Sequence, residues 1–193
     1  MKFMEINLLL RLTSLTLLIV MRIYWFVRTK EAAIKKPKTD NTPRTAEQIS
    51  NILAAIFVLI NLLGVVIFPF KNLTFQIFGL ILVILGFIQS INARKTLDSN
   101  WTDSFEYQIK KEHELVTKGI YKYVRHPIYG GIFIMINGAL IVAGTYTFII
   151  FLLGMLLVLE SYAKREEKLL TKHFGKKYID YMKMTKKFIP FIY

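Results

Sequence analysis

Three stretches of this chain, Gln48 to Phe70, Asn72 to Ala93 and Pro127 to Leu159, hold no Asp, Glu, Lys or Arg over 23, 22 and 33 residues. An α-helix needs about 20 apolar residues to cross a bilayer, where every backbone amide must be bonded internally because no water reaches it. The pattern therefore predicts membrane helices. A further apolar stretch, about Ile6 to Val27, is interrupted by Arg11 and Arg22 and ends at Arg28. No small-residue cleavage site follows it, so it reads as a retained first helix. A second helix is expected over about Ile49 to Phe68, and Pro69-Phe70-Lys71-Asn72 turns the chain into a third, about Leu73 to Asn92. The longest run exceeds one span. Gly144-Thr145 offers a break inside it, which predicts a hairpin of two short helices, about Ile128 to Ala143 and Tyr146 to Ala163.

Composition agrees with this reading: 54% of residues are hydrophobic, and mean hydropathy is +0.42. The net charge of +13 would point to nucleic acid in a soluble chain. Topology accounts for it instead. Six basic residues fall in Arg28 to Glu47, seven in Arg94 to His126 and nine in Lys164 to Tyr193, while the other two connections hold Lys71 and nothing. Cytoplasmic loops retain Lys and Arg, so the expectation is an all-α integral membrane protein of one domain, 1–193. It has five spans, the N-terminus outside, cytoplasmic regions at 94–127 and 164–193, and no nucleic-acid or obligate protein partner. The absence of cysteine closes thiolate zinc and cysteine nucleophile chemistry. His113, His126 and His173 lack the spacing of a helical zinc motif, and no nucleophile elbow or phosphate loop occurs, so no metal is expected.

Polar chemistry concentrates in two places. His113 to Gly131 carries Arg125 and His126 beside Gly119, Pro127, Gly130 and Gly131, which allow sharp turns and close backbone approach. On residue types alone, Tyr121, Tyr123 and Tyr129 fit an interfacial aromatic belt as well as a site. Lys164-Arg165-Glu166-Glu167 follows the fifth span, and the helical hairpin returns it to the His126 side. Glu166 and Glu167 also suit the first turn of an amphipathic C-terminal helix, with Leu170, Phe174, Tyr178, Tyr181 and Met182 forming its apolar stripe on the membrane or over the site.

In order along the chain, Leu97, Asn100-Trp101, His113-Glu114-Leu115-Val116, Gly119-Ile120-Tyr121, Arg125-His126-Pro127, Tyr129, Glu166-Glu167, Phe174-Gly175, Tyr178 and Tyr181 resemble the isoprenylcysteine carboxyl methyltransferase family over roughly the C-terminal half. The resemblance implies a membrane enzyme that moves a methyl group from S-adenosylmethionine to a lipophilic small-molecule or prenylated acceptor at the cytoplasmic face of the cell membrane. It implies His113, Leu115, Val116, Tyr121, His126, Pro127, Tyr129 and Glu166 as cofactor residues, with Arg125 and Glu167 orienting the chemistry. One position departs from the family. Members acting on prenylcysteine carboxylates tend to carry arginine four residues before the first matched glutamate, where this chain has Tyr162. Lys164 and Arg165 are nearby but project to other faces of an ideal helix, so Tyr162 is the expected acceptor residue and phenolic or other oxygen nucleophiles become candidate acceptors. Sterol reductases share a similar basic-histidine-aromatic pattern, which leaves a nicotinamide-dependent membrane reductase as an alternative. A noncatalytic subunit or transporter using Arg11 and Arg22 is the other.

Overall fold

The computed structural model describes residues 2–33, 45–97 and 114–192, and their regular elements are helices. In chain order these are α1 (Lys2–Ala33), α2 (Thr45–Leu62), α3 (Leu73–Leu97), a 3₁₀ turn (Gly119–Lys122), α4 (Pro127–Ala143), α5 (Thr147–Phe174) and α6 (Lys176–Met184). Three of them, α1, α3 and α5, are long and apolar enough to cross a membrane, whereas the apolar parts of α2 and α4, Ile49–Leu62 and Pro127–Ala143, are shorter. Leu9, Ile23 and Phe26 on α1, Leu53 on α2, Leu85 on α3 and Ile150 and Leu157 on α5 all face outward. So broad an apolar exterior suits lipid and not water. The chain is a membrane protein.

Glycine sets the central packing. Gly79 and Gly86 of α3 face Gly138 and Gly131 of α4, and a Cβ added at Gly86 would lie 2.5 Å from the Gly131 carbonyl oxygen, one at Gly138 2.7 Å from that of Gly79. Lipid tails are as apolar as leucine, so burial alone cannot drive helices together in a bilayer; close backbone approach, with the dispersion contacts it allows, does. Around this seam Val58, Leu62, Val83, Met135, Ala139 and Leu140 complete the buried core. Arg11 is part of the same frame. Its Nη2 donates to the carbonyl of Ala143 at 2.6 Å, satisfying an orphan acceptor at the C-terminus of α4 and meeting the negative end of that helix's dipole. The arginine that sequence left open as a pathway residue is thus a helix cap.

Several boundaries differ from the sequence expectation. The second helix stops at Leu62 and does not reach Phe68, because Gly64 (φ 107°) and Phe68 (φ 51°) leave helical space. The backbone that follows is tied by hydrogen bonds to the turn between α4 and α5: Phe70 N–H donates to Gly144 O, Tyr146 N–H to Phe68 O, and the Thr145 hydroxyl to Ile67 O. Leu63, Val65, Ile67 and Phe68 stay exposed on the apolar exterior, and hydropathy cannot tell such a loop from a helix. At the expected break, Gly144 (φ 76°) caps α4 in the left-handed region. The fifth helix was expected to end near Ala163 and continues through Glu166-Glu167 to Phe174, since charge does not stop a helix. Gly175 (φ 57°) does, so the supposed single stripe is divided: Leu170 and Phe174 close α5, while Tyr178 and Tyr181 are buried on α6.

Candidate functional site

Pro127 opens α4 at a position where its missing N–H costs no helical bond, which leaves Arg125 and His126 on the irregular segment in front of it. Across from them the charged end of α5, beyond its apolar span, presents two successive carboxylates. His126 sits between both. Its Nε2 is 3.1 Å from Glu167 Oε1 and its Nδ1 is 3.4 Å from Glu166 Oε2. Arg125 Nε approaches the same Glu167 oxygen at 2.5 Å, and its Nη1 donates to Thr185 O at 2.7 Å. The His126 ring stacks on Tyr129 (centroids 5.5 Å apart, planes at 12°) with Phe188 nearby at 6.2 Å.

The electrostatics follow from this arrangement. Burial presses His126 toward neutrality, but hydrogen bonds and charge from Glu166 and Glu167 outweigh it and hold its pKa above the ordinary 6.5. Burial likewise works against the charge of Glu167, yet His126 and Arg125 bring its pKa down to about 2. Glu166 is also lowered, by His126 and a hydrogen bond with Tyr129, against the cost of burial. In each of His126, Glu166 and Glu167 the neighbours thus shift the balance toward the charged form. The carboxylates are not equivalent: the Glu167 side chain is 14% exposed and Glu166 41%. Beside them the Tyr178 hydroxyl is buried and has no hydrogen-bond partner among the described residues. Burial and the two glutamates raise its pKa.

The structure thus brings Arg125, His126, Pro127, Tyr129, Glu166 and Glu167 together. Tyr121 is buried close by, its carbonyl accepting the Tyr181 hydroxyl at 2.7 Å. Leu115 and Val116 are half-buried in the stretch that enters the 3₁₀ turn. His113, with Asn100 and Trp101, lies outside the described residues. Tyr162 belongs to an adjoining apolar cluster with Tyr129, Leu159, Ala163 and Phe188. Arg165, expected on another face, turns back: its guanidinium is 5.8 Å from the Tyr162 ring centroid and donates to Ser161 Oγ. Sequence reasoning missed Lys187, whose Nζ is 2.7 Å from Glu160 Oε1 and 3.9 Å from Glu167 Oε2. Its position had registered only as one more basic residue in a basic tail.

The sequence model of the phospholipid methyltransferase family matches residues 74–177, which run from α3 to the start of α6 and include the whole charged cluster except Lys187 and Thr185. Protein-S-isoprenylcysteine O-methyltransferase B of Arabidopsis thaliana is 31% identical over 119 residues, covering 60% of this chain and 59% of that protein. The Dictyostelium discoideum protein-S-isoprenylcysteine O-methyltransferase is 34% identical over 116 residues, covering 60% and 49%. The chain thus aligns with about half of each relative's length. In fold it is similar to the eukaryotic intramembrane Ras methyltransferase, isoprenylcysteine carboxyl methyltransferase, with a TM-score of 0.72 and 23% identity over 97% of this chain and 68% of that one. A match over more than half the sequence, containing His126 and the two successive glutamates, makes this chain a member of the phospholipid methyltransferase family.

Proposed function

We propose that this protein transfers a methyl group from S-adenosylmethionine to a lipophilic acceptor at the cytoplasmic face of the membrane, with five spans and the N-terminus outside. The observation that carries the reading is the cluster of Arg125, His126, Glu166 and Glu167 within the family match, placed against the apolar cluster of Tyr129, Leu159, Tyr162 and Phe188. Polar and apolar halves of one site are what a water-borne donor and a lipid-borne acceptor require.

The residues suit such a donor. Glu166 offers a half-exposed carboxylate to amino or ribose hydroxyl groups, and the orphan Tyr178 hydroxyl can complete a hydrogen bond to a ligand. When bound, S-adenosylmethionine supplies a methyl group already activated on sulfur. What remains for the chain is placement: displacement at carbon needs the acceptor oxygen in line and water kept out. Glu167 holds His126 and Arg125, and thereby the floor of the site, while Glu166 remains available to a ligand. A carboxylate acceptor is ionised near neutral pH and needs no base. Arg165 over Tyr162 keeps a cation beside the ring where an acceptor head would lie, so a prenylcysteine carboxylate retains a partner despite the absence of arginine at 162.

Titration calorimetry on protein in nanodiscs tests the reading. S-adenosylmethionine should bind and a reduced nicotinamide cofactor should not. The reverse result would make the chain a reductase. Cysteines placed at Thr39, Glu112 and Lys186 should react with impermeant reagents only from the cytoplasmic side; labelling of position 112 from outside would overturn the orientation.

A further inference from the structure

The tail beyond α6 runs alongside the segment before α4, paired to it at a single parallel bridge between Lys186 and Val124. Arg125 and His126 donate their backbone N–H groups to the carbonyls of Lys186 (3.0 Å) and Lys187 (2.9 Å), and Lys186 N–H donates to Tyr123 O (2.9 Å). Gln89 Nε2 donates to Phe188 O at 3.2 Å, and a Cβ on Gly130 would come within 1.9 Å of that same oxygen. The tail is therefore seated in a space that only glycine leaves open. Its register delivers the Lys187 ammonium, 12% exposed, to two carboxylates, Glu160 at 2.7 Å and Glu167 at 3.9 Å. Few waters can reach so enclosed a charge, and the two acids offset its lost hydration. Glu160 is in turn shared with exposed Lys164 at 3.5 Å.

We propose that Lys187 is a positioning residue of this site: divided between Glu160 and Glu167, it sets how much of the Glu167 charge is left to hold His126 and Arg125, and so fixes the His126 ring against the ligand. The role rests on the methyl-donor site proposed above. Charged and titratable groups surround His126 and its two carboxylates: Arg125 from its own segment, Tyr129 from α4, Glu166 and Glu167 from α5, with Tyr178 from α6 and Lys187 from the tail acting on the glutamates. Among these Lys187 is the adjustable one, because it has a second carboxylate to which it can be drawn. Pulled to Glu160, it leaves Glu167 more negative and His126 more firmly protonated. Drawn to Glu167, it competes with His126 and loosens it.

Three variants separate this role from simple structural support. Lys187→Met should raise the pH at which His126 titrates, read from imidazole NMR signals in nanodiscs, by about 0.5 pH, since an ammonium near the carboxylate is lost. The same variant should weaken S-adenosylmethionine binding about tenfold by calorimetry. Lys187→Arg should restore both. Glu160→Gln releases Lys187 to Glu167 and should move the His126 titration the opposite way, downward, which general loosening would not do. Should Lys187→Met fail to fold, Glu160→Gln and Lys187→Arg still decide by the direction of the shift. Titrations unmoved, or moving the same way in Lys187→Met and Glu160→Gln, overturn the proposal; if the wild type binds the donor all the same, the transferase reading stands. Opposite shifts in the two variants, with a wild type that binds no S-adenosylmethionine, would instead keep the coupling of Lys187 to His126 and sink the transferase reading.

Discussion

Replacing Glu167 with alanine strips two cations of one shared acceptor. Arg125 Nε lies 2.5 Å and His126 Nε2 3.1 Å from the same oxygen. A hydrogen bond to a charged group contributes about 1.5–3 kcal/mol net, and removing one partner of a buried pair costs about 3–5 kcal/mol. Both cations keep a fallback, Arg125 on Thr185 O and His126 on Glu166, and the slight exposure of the Arg125–Glu167 pair lets water replace part of the loss. The expected destabilisation is about 3 kcal/mol. Glu166→Ala should cost only about 1 kcal/mol, because that carboxylate is 41% exposed and reaches His126 at 3.4 Å. Thermal melting in nanodiscs reads the first quantity and S-adenosylmethionine titration on the same samples reads the second. Glu167→Ala should melt well below the wild type, whereas Glu166→Ala should melt close to it while losing donor affinity. Equal melting points, or the lower one in Glu166→Ala, would refute the division of labour between these neighbouring acids.

Other expectations follow from single contacts. Gly130→Ala puts a methyl group 1.9 Å from Phe188 O, so the tail must lift; a loss of about 2 kcal/mol and faster proteolysis of the tail are expected, with Gly154→Ala, inside α5 where a Cβ meets nothing within 4 Å, as the control that loses no stability. Arg11→Leu removes the cap on Ala143 and should lower stability by about 1–2 kcal/mol without changing donor affinity; a loss of donor binding would contradict the capping role. Stability should also depend on pH in a defined way. The raised pKa of His126 contributes fully below its unfolded value of 6.5 and fades as pH climbs through the folded one. Glu167, held at about 2 against an ordinary 4.5, contributes above 4.5 and fades as pH falls toward 2. The melting temperature should therefore be highest between about pH 4.5 and 6.5 and decline on both sides, and the same peak in Glu167→Gln would count against the pair as its cause.

What could be read from the residues, and what could not, divides along physical lines. The break at Gly144 was legible because a glycine inside a run too long for one span is a local signal, and the meeting of His126 with Glu166 and Glu167 followed from a hairpin returning the chain to its starting side. The end of the second helix was not legible: Leu63, Val65, Ile67 and Phe68 are apolar and exposed like the outer faces of the helices, and hydropathy reports an apolar exterior, not helicity. The length of α5 was misjudged because charge was taken as a stop signal, whereas the stop is Gly175 in left-handed backbone space. Arg165 was misplaced because residues three apart share a helix face, which puts its side chain within reach of the Tyr162 ring. Lys187 was beyond reach, since its partners, Glu160 and Glu167, lie on an element brought close only by tertiary structure.

The central claim is methyl transfer to a lipophilic acceptor, and transfer of labelled methyl from S-adenosylmethionine tests it most directly. Purified protein in nanodiscs would be offered extracted membrane lipids, a farnesylcysteine analogue and a long-chain phenol. Label should pass into at least the farnesylcysteine analogue, and Glu166→Ala should abolish most of the transfer. No label in any acceptor, from protein that binds the donor and carries an intact His126 titration, would contradict the account.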